Sequence, residues 1–196
     1  MKYSPVLLAI LLTTALQAGS LPLGYFQQEV KYDIDVKLDD KDHILRGHEK
    51  LLYMNNSPNS IDFIWMHLWP NAYKDNNTAF AKQMWENGRS KFYFSDEDDR
   101  GYIDSLNFTI KGVPLQVEAH PEWIDVVKLI LPAPLAPGKR ITIETPFKVK
   151  IPIVFSRLGH SGKHYEITQW YPKPAVYDMD GWHPMPYLNM GEFYSE

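Results

Sequence analysis

Metal, acid–base or nucleophilic chemistry in this chain would have to come from its seven histidines and 24 acidic residues, since it has no cysteine. His48-Glu49 opens like the zinc motif H-E-x-x-H, but the fifth position is Leu52. Two zinc-binding histidines need i and i+4 spacing on one helical face, and this segment alternates as a strand. His160 and His164 are four apart in Gly159-His160-Ser161-Gly162-Lys163-His164. The two glycines predict a loop there, where helical spacing carries no meaning. Gly162-Lys163 resembles half of a phosphate-binding loop, yet Arg157 replaces the first glycine and His164 replaces the Ser or Thr. Lys163 also breaks the G-x-S-x-G pattern of a nucleophile elbow. Asp96–Gly101 begins like a calcium loop, but Asn107 stands where the bidentate Glu is needed and Arg100 sits among the ligands. It reads as a solvated charge run. Asn76-Asn77-Thr78 and Asn107-Phe108-Thr109 are glycosylation sequons. No acid–base pair or triad follows from spacing alone.

The elements that would position such groups are mostly strands. Val30, Tyr32, Ile34, Val36 and Leu38 alternate with Lys31, Asp33, Asp35 and Lys37, predicting a strand with one buried and one wet face. Lys41-Asp42-His43 marks a turn, and Ile44 to Asn55 returns as a second strand. Ile61 to Trp69 is apolar on both faces, as in a strand covered on both sides. Thr78 or Asn77 can cap a helix over Ala79–Asn87 with Gly88 as its stop, a short piece expected to be an insertion or lid. Alternation resumes at Leu106, Phe108, Ile110, Leu115 and Val117, and Trp123 to Leu131 reads as another strand. Pro132 to Gly138 reads as a stiff connector, and Ile141 to Ile151 as the last long strand. The expectation is an all-β domain, a sandwich or saddle-like antiparallel sheet of about eight strands with one short helical insertion. No linker divides residues 19–196.

Composition sets the outer bounds. A 44% apolar share with 14% aromatics and 15 prolines suits a β-rich, turn-rich globular domain. The net charge of −4 leaves no basic footprint for nucleic acid. Residues 1–18 combine Lys2, an apolar run from Val6 to Leu16 and then small residues, the layout of a signal peptide. That run is too short for a transmembrane span, so the expectation is an exported protein, periplasmic or extracellular. Gln169–Glu196 holds two tryptophans, four tyrosines and four prolines, which predicts irregular backbone ordered by aromatic packing. The stop at Glu196, without a helix cap or polar tail, reads as the middle of a longer chain.

Several stretches together resemble the aminopeptidase-N-like zinc metallopeptidases, peptidase family M-one, in their exported bacterial branch. They are HLWPNAYK (His67–Lys74), TAFAKQ (Thr78–Gln83), FSRLGH (Phe155–His160), QWYPKPAVYD (Gln169–Asp178), GWHPMPY (Gly181–Tyr187) and GEFYSE (Gly191–Glu196). The likeness runs in order along nearly all of residues 19–196. It implies the β domain that precedes a thermolysin-like catalytic domain, with peptide as substrate. Zinc, held by H-E-x-x-H and a later Glu, would activate water in that downstream domain, because neither motif occurs in residues 1–196. The resemblance also implies that Gln169 lines the first substrate pocket. Tyr171 stands at the position the family gives to an acid, and a tyrosine brings no negative charge to meet an ammonium. The rival expectation is a non-catalytic binding module that presents its aromatic end to protein or glycan.

Overall fold

The structure, a computed structural model, describes residues 24–196. The signal-peptide reading of residues 1–18 lies outside the described residues. The chain opens with the hairpin β1 (Glu29–Asp39) and β2 (Ile44–Met54), then β3 (Ile61–His67). A 3-10 turn (Trp69–Tyr73), helix α1 (Ala79–Glu86) and a second 3-10 turn (Glu97–Asp99) follow. Then come β4 (Tyr102–Asp104), β5 (Thr109–Ile110), β6 (Val113–Pro114), β7 (Gln116–Ala119), β8 (Val126–Leu135) and β9 (Arg140–Lys150). The last five are β10 (Leu158–Ser161), β11 (His164–Ile167), β12 (Lys173–Pro174), β13 (Val176–Asp178) and β14 (Gly181–His183).

Two antiparallel sheets enclose the core, and the fold is an all-β sandwich-like domain with one helix. The first runs β1-β2-β9-β5-β6 with β4 also on β9; the second runs β12-β3-β8-β7. Leu51, Tyr53, Ile143, Phe147 and Val149 of the first sheet meet Ile64, Met66, Leu129 and Leu131 of the second. Gly47 is required where β1, β2 and β9 approach closely, because a Cβ there would strike the Phe147 ring and the Asp35 carbonyl.

The helix begins as its sequence predicts. Thr78 Oγ1 accepts from the Ala81 N–H at 3.1 Å, and Gly88 adopts the left-handed conformation (φ 71°) that stops it. It is not a lid. Phe80 is fully buried, its ring against Tyr73, Phe92 and Tyr187, so α1 belongs to the core; Trp85, one turn from Ala81, points to solvent.

Three further expectations are corrected. Val36 and Leu38 lie exposed at the end of β1, an edge strand whose inner face is left uncovered there. The strand expected to reach Trp69 ends at His67, where Pro70 favours a 3-10 turn over another ladder residue. The Pro132–Gly138 connector is instead mostly strand, since β8 continues to Leu135. Its prolines are tolerated because the ladder jumps from Phe63↔Ile130 to Ile61↔Leu135 and leaves 131–134 in an irregularity.

Candidate functional site

The chain leaves β11, turns, and re-enters the second sheet as β12, where Lys173 pairs with His67 and Pro174 with Met66. Within that turn Gln169 has φ 54°, a left-handed backbone on a residue with a Cβ, costing about 1–2 kcal/mol. Thr168 Oγ1 donates to the Arg157 carbonyl at 2.8 Å and fixes the start of the turn. The Gln169 side chain then folds forward, and Lys173 Nζ donates to its Oε1 at 2.5 Å. The same ammonium lies 4.5 Å from the centroid of the Tyr171 ring and 5.8 Å from that of Trp69. Gln169 and Tyr171, both expected from the sequence, are thus brought together, with Lys173 as the link between them.

Aromatic packing holds this turn from below. Trp170 rests on Phe147, and Tyr171 meets Trp170 and the edge of Tyr32. Tyr32 donates its hydroxyl to the Glu196 carbonyl at 2.9 Å, joining β1 to the last residue. Tyr187, 1% exposed, packs against Tyr73, Phe80 and Phe193 and anchors the segment that follows. The aromatic end is ordered by side-chain packing, but it is less irregular than expected, since β12, β13 and β14 lie within it.

Under the turn the first sheet places a carboxyl. Glu49 sits on the inner face of β2, 1% exposed, and its Oε2 has no hydrogen-bond partner among the described residues. Burial pushes this carboxyl up to about 8, against the opposing pull of Lys173. Burial likewise pushes Lys173 down to about 8, against the attraction of Glu49. Tyr171 is raised by burial and then by Glu49. Tyr53 OH and Glu196 Oε1 are also buried without partners among the described residues, and burial lifts the Glu196 carboxyl to about 7. Sequence reasoning missed Lys173 and Glu49. A signal for Glu49 existed, because it shares the parity of the inward-facing Leu45, Leu51 and Tyr53.

The histidines do other work. His48 and Glu49 point to opposite faces of β2, as a strand requires. His160 and His164 lie on the hairpin β10–β11 rather than in an open loop. His160 stacks on His43 at 3.5 Å between ring centroids, and His43 Nδ1 meets the Tyr165 hydroxyl at 2.7 Å. Burial drives His67 down to about 3, so it is neutral, stacked on Trp69 with Nε2 accepting from the Met185 N–H. Among the described residues no three His, Asp or Glu side chains form a set able to hold a metal ion. No helix among them is long and apolar enough to cross a membrane.

A surface groove of about 690 Å³ lies elsewhere, bounded by β2, β9, the β5–β6 hairpin and Pro132 of β8. Leu52, Ile110, Val113 and Ile141 line it, and it shares no residue with the Gln169–Lys173 turn. Compared with protein-family models and with curated proteins, the chain finds no match.

Proposed function

We propose that this chain is the substrate-binding N-terminal domain of an exported zinc-dependent peptidase, with Gln169 and Tyr171 on the wall of its substrate cleft. The order and length of the motifs shared with the aminopeptidase-N-like enzymes support the family. The observation that carries the role is the strained, half-buried Gln169, held in a left-handed conformation with its side chain latched by Lys173. Local strain that the surroundings enforce is concentrated at functional sites. Around this end Met179, Met185, Met190 and Tyr194 stand exposed, which suits a face that another unit covers. The same exposed side chains also suit the rival, a binding module. Zinc and the residues holding it would belong to the catalytic domain, and no step of hydrolysis is assigned to the residues described here.

The test is Gln169→Ala in the full gene product, with turnover of aminoacyl and peptide substrates measured at saturating zinc. The specificity constant is expected to fall about tenfold or more with the fold intact, the scale of one lost charge-assisted or buried hydrogen bond. An unchanged specificity constant would remove Gln169 from the cleft. A gene product without an H-E-x-x-H helix and without zinc-dependent hydrolysis would favour the binding module.

A further inference from the structure

Four lysines among the described residues are neither buried nor fully exposed: Lys128, Lys148, Lys150 and Lys173. Three have a carboxylate partner, Glu118 at 3.5 Å, Asp104 at 2.8 Å and Asp98 at 3.9 Å respectively. Among the described residues Lys173 has none within ion-pair distance. Its ammonium donates to the amide oxygen of Gln169, and the faces of Tyr171 and Trp69 lie beside it.

An ammonium carries three donors, and here one is used. The Gln169 amide nitrogen and the Tyr171 hydroxyl make no hydrogen bond among the described residues, while one lone pair of the amide oxygen beside them is engaged by the ammonium. Donors therefore outnumber acceptors in the surface left over, and they surround a positive charge. We infer that Lys173, Gln169 and Tyr171 form a recognition site for a carboxylate, that of a peptide end, and not for an ammonium.

Glu49 is what keeps that charge available. It faces Lys173 from β2, while Tyr32 from β1, His67 from β3 and Tyr171 from the turn are the other titratable groups at the cluster. Tyr32 and Tyr171 are raised, mainly by burial, and His67 is driven down by it, so all three are neutral near pH 7. Glu49 keeps its proton below about 8 and so leaves the ammonium uncompensated. As pH rises through about 8 the Glu49–Lys173 pair gives up a proton, leaving the ammonium either neutralised or paired with an ionised Glu49, and binding should weaken in both cases.

This inference rests on reading Gln169 and Tyr171 as cleft residues, and it adds the charge of what they bind. The test uses the full gene product and two probes by calorimetry or NMR: N-acetylalanylalanine, with a free carboxylate and blocked amine, and alanylalaninamide, with the reverse. The acetylated probe should bind about tenfold more tightly. Lys173→Gln should abolish that preference and Lys173→Arg should keep it, while Tyr171→Phe should weaken it about threefold with less risk to folding. Equal or better binding of the amine probe, a preference that survives Lys173→Gln, or no binding of either probe would overturn the inference. A carboxylate preference without any zinc-dependent hydrolysis would sink the peptidase reading alone; hydrolysis with an amine preference would sink this inference alone.

Discussion

Two buried polar residues of this domain, Asn55 and Glu49, are held in opposite ways. At the corner where β2 leads towards β3, Asn55 is fully buried and completely satisfied. Its Nδ2 donates to the carbonyls of Asn59 at 2.7 Å and Leu135 at 2.8 Å, and its Oδ1 accepts from Ser57 N and Oγ. Its backbone is tied to Lys139 and Gly138. On the inner face of β2 and at Glu196, by contrast, Glu49 Oε2, Tyr53 OH and Glu196 Oε1 are buried with no partner among the described residues. Buried polar groups normally find partners, and one left unmatched costs about 1–3 kcal/mol. The corner holds strands together. That seam gives up stability by leaving polar groups unmatched, and the proposed site lies beside it.

The contrast can be broken by mutation, starting at the corner. Asn55→Ala strands the Ser57 N–H and takes the amide donor from the Leu135 carbonyl, while Ser57 Oγ keeps the Asn59 carbonyl, and it should lower unfolding free energy by about 3 kcal/mol in denaturant melts. A loss below about 1 kcal/mol would mean that water replaces the amide and that the corner is not structural.

At the seam the effect runs the other way and depends on pH. The folded carboxyl of Glu49 sits at about 8 against an ordinary 4.5. Stability linked to this proton is fully present below about 4.5 and is lost as pH rises towards about 8, because only the unfolded chain releases it in that window. Asp125 and Glu196, raised by burial to about 6 and about 7, add the same sign. His67, driven down to about 3 from 6.5, has the opposite sign below pH 6.5 and offsets part of this, so the protein should be more stable at pH 5 than at pH 8 by less than the three carboxyls alone would give. Glu49→Gln should flatten that slope by roughly 2 kcal/mol between those pH values, as read by urea melts across the range. An unchanged slope would show Glu49 to be ionised and solvated in the folded state.

The smallest effect is expected at Gln169. Gln169→Gly removes the left-handed penalty but adds unfolded-state entropy, so a gain of about 0.5 kcal/mol is expected, together with loss of ligand recognition. A loss of more than about 1 kcal/mol would assign the side chain to stability instead.

What could be read from the chain before its structure follows from how local each signal is. The β1–β2 alternation, the Thr78 cap and the ordering of the aromatic end are short-range and were legible. The strand running through Pro132 and Pro134 was not, because a proline is tolerated there only by the gap in pairing with β3. Gln169 and Tyr171 came from motif resemblance. Lys173 lies in the same motif, but its meaning depends on Glu49, brought under it by a strand far earlier in the chain. Strand parity placed Glu49 inside; nothing local said what it would face.

The most direct measurement is an NMR titration of the Lys173 side chain, with and without N-acetylalanylalanine. The account predicts that Lys173 titrates near 8 in the free protein and that the carboxylate probe raises this value, since a bound anion favours the charged form. Titration at an ordinary lysine value near 10.5, unmoved by the probe, would contradict it.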